Sequence, residues 1–181
     1  MSRLPEIDPD SLSPAQKVMY EDILRVRGQV RGPFAIWLNS PDLGRLTLQT
    51  QDWFQKKSQL SDRMVELAIL MVARRHGAQF AWAVHERRAQ RFGLPDEAIA
   101  AIRARRRPTS LDPQEERVYD IVTELGETST LSPASYEAAT KALGVTALVE
   151  LVSLTGFYVM IGLLLNTFDA DAPEGSTPLE P

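Results

Sequence analysis

The chain holds two histidines, His76 and His85, and histidine is the side chain best suited to moving a proton near neutral pH. His85 lies in the run Ala78-Gln79-Phe80-Ala81-Trp82-Ala83-Val84-His85-Glu86-Arg87-Arg88-Ala89. At helical spacing Ala78, Ala81, Trp82, His85 and Ala89 share one face. Small residues, an aromatic ring and an imidazole read as a pocket wall rather than a filled core. Glu66 is the natural partner, because it stands between Val65 and Leu67 in an apolar stretch, where an unpaired carboxylate would be costly. If the chain turns near Gly77, Glu66 and His85 lie about 16 and 12 Å from the turn at 1.5 Å per residue, so their side chains reach one level. A carboxylate there would fix the imidazole tautomer and raise its basicity, leaving the second ring nitrogen to exchange a proton with a substrate. Spacing alone fits a buried structural Glu–His pair at least as well.

Arginine is the natural anchor for a planar carboxylate. Arg88 lies three residues after His85 on the same face, and Arg74 lies near the hairpin end; both could equally be solvated surface charges. His76 follows Arg74 and Arg75 and precedes Gly77, where a cation meets the negative end of a helix dipole. The two histidines, nine residues apart on either side of a helix break, do not form a metal-ligand pair. No metal or cofactor is expected.

The prolines mark the elements that must position these groups. Ser13-Pro14, Ser40-Pro41, Asp112-Pro113 and Ser132-Pro133 each place a capping residue before a first-turn proline. Gln16 and Glu115 complete two capping boxes, and Ser61 caps the helix that carries Glu66. Periodicity predicts helices over 14–27, 41–58, 62–76, 78–92, 95–106, 113–125, 133–143 and 146–167, and no strand. The expected fold is therefore all-α, about eight helices around a central hairpin. An N-terminal arm over 1–12, a single helical domain over 13–170 and a C-terminal tail over 171–181 complete the organisation.

Composition narrows the chemistry. The 181 residues carry no cysteine, 44% apolar residues and a net charge of −4, which excludes thiol nucleophiles, dithiol redox motifs and thiolate metal sites in this chain. An acidic chain has no general attraction for nucleic acid, and the basic run Arg103–Arg107 reads as a helix end. The start of the chain lacks the apolar core of a secretory signal, so a cytoplasmic location is expected. The apolar run from Leu143 to Phe168 is long enough to span a bilayer. Glu150 within it and the lack of a following Lys or Arg favour a core helix of a soluble protein, with Phe157, Tyr158 and Met160 partly at a subunit interface.

Several of these motifs together resemble the carboxymuconolactone decarboxylase family, which includes the AhpD-type alkylhydroperoxidases. The likeness rests on Glu66-Leu67-Ala68-Ile69-Leu70-Met71-Val72-Ala73, then Gly77, Trp82, His85 and Arg88-Ala89. Gly32-Pro33-Phe34 with Ser40-Pro41-Asp42-Leu43, and Glu150-Leu151-Val152 with Gly156-Phe157-Tyr158 and Leu165–Phe168, extend it over nearly the whole chain. The resemblance implies an AhpD-like bundle in which Glu66 and His85 form a proton relay. It places the redox branch's two cysteines at Ala78 and Ala81, so peroxidase chemistry does not carry over. It implies instead a cofactor-free decarboxylase type, a homo-oligomer (trimer or hexamer) acting on a small carboxylated cyclic or enolisable molecule. His85 would be the proton donor, Glu66 its orienting group, and Trp82, Arg88, Arg74, Phe34 and Trp37 the substrate contacts. Two alternatives stay open: the same pair performing proton transfer or hydrolysis without decarboxylation, and a non-catalytic oligomeric scaffold. An open pocket holding Glu66 and His85 within hydrogen-bond reach distinguishes an enzyme from a scaffold.

Overall fold

The computed structural model describes residues 2–180. After a 3-10 turn at Pro9–Ser11 come α1 (Pro14–Arg27), α2 (Pro33–Trp37), α3 (Pro41–Lys56), α4 (Asp62–Arg75), α5 (Gln79–Arg91), α6 (Asp96–Arg103), α7 (Pro113–Thr128) and α8 (Pro133–Thr167). The described residues include no strand, and the all-α expectation holds.

Most helix starts form for the reasons read from the sequence. Ser13 with Gln16 and Asp112 with Glu115 build reciprocal capping boxes, while Ser61 and Ser132 accept from the backbone at the third helical residue. Ser40 differs from that expectation: it makes no side-chain cap. The chain turns straight out of α2 into α3, with Ser40 N–H donating to Trp37 O (2.8 Å), and its ψ of 72° departs from the extended geometry of the other caps. The stretch 33–37, outside the helices that periodicity predicts, is one helical turn.

α4 lies at the centre, packed against α5, α7 and α8, with Leu67, Ile69 and Leu70 fully buried. The α4–α5 hairpin turns at Gly77 in the left-handed region (φ 59°). There Ala78 N–H donates to Ala73 O and Gly77 N–H to Arg74 O, satisfying carbonyls that the helix end leaves open. The turn sets the level at which α4 and α5 face each other, and so brings Glu66 opposite His85. The two helices expected over 133–143 and 146–167 run on as one, broken at Gly144 (φ 80°, ψ 160°), a conformation that suits glycine. By length and composition α8 could cross a bilayer; here it packs on α2, α4, α5 and α7. Glu150 on it accepts from Ser58 Oγ and Gln59 N–H, tying α8 to the α3–α4 turn.

Both terminal segments are extended but docked. Arg3 reaches Phe168 O and Asp169, and the tail is held where Gln79 and Arg103 donate to the carbonyls of Thr177 and Pro178.

Candidate functional site

Glu66 and His85 meet as the hairpin geometry requires. His85 Nδ1 lies 2.6 Å from Glu66 Oε2, and Arg88 Nε donates to Glu66 Oε1 at 2.7 Å. Only 1% of Glu66 is exposed. Burial alone would raise its carboxyl, but His85 and Arg88 outweigh that and hold it below the ordinary carboxylate value. An ionised Glu66 can only accept, so His85 Nδ1 carries the proton between them and Nε2 is left facing outward.

The group beyond Nε2 is Tyr158 of α8, whose hydroxyl lies 3.2 Å away. Burial, reinforced by the Glu66 charge, pushes this phenol above its ordinary value, so it is a neutral donor. Gln51 of α3 donates its amide to the same oxygen at 3.1 Å. Four helices thus contribute one continuous polar chain: Glu66, His85, Tyr158 and Gln51. The imidazole and phenol rings meet edge to face, 5.1 Å between centroids.

This chain borders a cavity of about 210 Å³. Its apolar wall includes Phe34, Phe80, Ala81, Val84, Ile161 and Leu165. The charged lining consists of Arg27, Arg31 and Arg88 beside His85, with no Asp or Glu.

The expected contacts divide. His85, Arg88 and Phe34 line the cavity; Trp82, Trp37 and Arg74 do not, and each is a correction. Positions 81, 84, 85 and 88 form the pocket face, so Trp82 falls round the helix into the core. There it is fully buried, with the Arg103 guanidinium 5.0 Å from its ring centroid. Trp37 turns to the other side of α2, beside Leu43, Met160 and Leu163. Arg74 is buried at the far hairpin end, its Nε donating to Arg103 O at 2.6 Å. Ala78 is also buried away from the cavity, leaving Ala81 as the alanine in its wall. His76 is not a charged cap: burial, and then Arg75, lower its pKa.

Tyr158, Gln51 and Arg27 were missed. Tyr158 sits in a run apolar all round and was assigned to a subunit interface, yet it is only 3% exposed. Its signal is that it is the one phenol in that run. Gln51 is a polar residue on the buried face of α3. Arg27 has no mark in sequence beyond its place before Gly28 at a helix end.

Residues 41–124 match the model of the carboxymuconolactone decarboxylase family. That span holds Gln51, Glu66, His85 and Arg88, while Arg27, Phe34 and Tyr158 lie outside it. The chain is also similar to the crystal structure of an uncharacterized peroxidase-related protein from Silicibacter sp. TM1040. The TM-score is 0.76 at 17% identity, covering 97% of this chain and 93% of that one. A second similar structure is described as an alkylhydroperoxidase AhpD core, an uncharacterized peroxidase-related protein from Ralstonia eutropha JMP134. It has a TM-score of 0.78 at 15% identity and covers 96% and 93% of the two chains. Identities this low establish the shared AhpD-like fold alone. No curated protein matches the sequence.

Proposed function

Starting from the match of residues 41–124 to the carboxymuconolactone decarboxylase family, we propose that this chain is a cofactor-independent acid/base enzyme that decarboxylates a small carboxylated ring. The observation that carries the reading is the polar chain Glu66–His85–Tyr158, which borders an open cavity lined by three arginines and no acid. A packed scaffold would have closed that space.

In this mechanism the bond between ring carbon and carboxylate breaks, and its electron pair passes into the conjugated lactone carbonyl as carbon dioxide leaves. The dienolate then takes a proton at carbon from Nε2 of His85 in its imidazolium form, and the imidazole regains its proton from solvent. Glu66 stabilises that imidazolium and fixes the ring. Tyr158, held neutral and seated by Gln51, donates to the developing enolate oxygen once substrate separates it from Nε2. With no thiol in the chain, this reading has no place for peroxide reduction.

The same reading places the protein in the cytoplasm as a homo-oligomer, trimer or hexamer, without a membrane or nucleic-acid partner. It is supported by the exposed apolar side chains along the outer face of α8 and on α3, including Val149, Leu163, Leu43 and Leu46.

The experiment is incubation with 4-carboxymuconolactone in D2O. Carbon dioxide release with one deuterium at the ring carbon next to the lactone carbonyl is expected, the former carboxyl-bearing carbon becoming part of the enol double bond. Absence of both overturns the assignment, and deuterium exchange without carbon dioxide replaces it with simple proton transfer.

A further inference from the structure

The cavity contains three guanidinium groups, and they are not equivalent. Arg88 is committed through Nε to Glu66 and lies 5.6 Å from the Phe92 ring centroid. Arg31 is exposed at the rim. Arg27, at the end of α1, is held at one nitrogen only: Nη1 donates to Gln55 Oε1 at 2.6 Å, and the guanidinium carbon sits 5.7 Å from the Phe34 ring centroid. Its Nε and Nη2 are buried and meet no acceptor among the described residues. Unpaired buried donors are uncommon, and on a charged group they are costly.

These two nitrogens form the side-on fork of a guanidinium, whose parallel N–H bonds match the two oxygens of one carboxylate. We infer that Arg27 is the anchor for the substrate's carboxylate, gripping it through Nε and Nη2. Gln55 and the Phe34 ring hold the fork in place before ligand arrives, so little side-chain freedom is lost on binding. The charge is also uncompensated within the cavity: Asp52, the nearby acid that acts on Arg27, is paired with Lys56 at 2.9 Å. Size limits the rest of the ligand. A cavity of about 150 Å³ admits benzene, so about 210 Å³ suits one ring with its substituents. That ring would lie against Phe34 and Phe80.

Arg27 lies outside the span 41–124 that matches the family, so acid/base chemistry and anion recognition come from different parts of the chain. The assignment rests on the proposed function only in taking this ligand to be the substrate.

Benzoate and its neutral isostere benzamide, titrated into the full chain and followed by calorimetry, test it without turnover. The wild type is expected to bind benzoate at least tenfold more tightly than benzamide. Arg27→Gln is expected to erase that preference, and Arg27→Lys, which keeps the charge but loses the fork, to lose most of it. In the wild type the Arg27 Nε–H resonance should move on adding benzoate and stay in place with benzamide, a readout that does not depend on either variant folding. Equal affinity for the two ligands, an unmoved Nε–H resonance, or a folded Arg27→Gln protein that still prefers benzoate overturns the anchor. Since benzoate is not consumed, such a failure leaves proton transfer by His85 standing, and a failed lactone assay leaves the anchor standing.

Discussion

The α4–α5 hairpin carries both histidines of the protein nine residues apart, and they occupy opposite environments. His85 faces an ionised carboxylate at 2.6 Å and a neutral phenol at 3.2 Å, beside a cavity. His76 sits at the C-terminal end of α4 among Arg74, Arg75, Arg105 and Arg106, where burial and the Arg75 charge disfavour its protonation. Position on the hairpin makes the difference. Mid-helix, the ring can be met by a residue of the antiparallel neighbour, whereas at the turn His76 directly follows Arg74 and Arg75, the cations that answer the helix dipole. Partners, rather than the imidazole itself, set the two histidines apart.

The largest expected effect separates the two sites kinetically. His85→Gln should reduce the proposed lactone decarboxylation by about 10²–10⁴-fold, the range of a general acid, while His76→Gln leaves the rate within about twofold. Comparable losses in both variants, measured as kcat/KM, would erase the distinction.

A smaller effect falls on stability in acid. Because the folded-state value of Glu66 lies below its ordinary 4.5, its contribution is complete above that pH and is lost as pH falls through the lower, folded value. Glu66→Gln should therefore cost about 3 kcal/mol at pH 7, the low end for breaking a buried pair. Its stability should also decline less than that of the wild type across the acid window, as read by denaturant melts at several pH values. Parallel acid limbs would mean that Glu66 is not ionised in the folded state.

The smallest effect belongs to His76. Its lowered value means that the wild type loses stability as pH falls from 6.5 through the folded value. His76→Gln should match the wild type above pH 6.5 and gain on it below. A thermal-melt series from pH 8 to pH 5 resolves this window from the more acidic one of Glu66.

Much of this arrangement is legible in the sequence. The caps at Ser13, Ser61, Asp112 and Ser132 are local chemistry, so sequence shows them directly. The meeting of Glu66 with His85 followed from one turn and a constant helical rise. The third dimension was harder. Trp82 and Val84 flank the face of His85, and periodicity cannot say to which side a pocket opens; the rotation of α5 against α4 and α8 decides it. Tyr158 and Arg27 come from helices distant in sequence, one apolar all round and the other rich in ordinary surface charge, so neither pattern sets them apart. Trp37 was misplaced for a related reason: a five-residue helix presents two faces, and its flanking residues do not indicate which one turns inward.

The break at Gly144 gives α8 two parts with unequal anchorage. Before it Ala139 is the buried residue; after it ten residues are buried, from Ala147 through Glu150 and Tyr158 to Leu165. Segments with few buried contacts open at low free energy, and densely packed ones open only with the whole molecule. The glycine therefore acts as a firebreak: fraying that starts near Ser132 is halted before it reaches the phenol facing His85. Backbone amides of 134–143 should exchange with solvent well ahead of those around Tyr158, although both belong to α8.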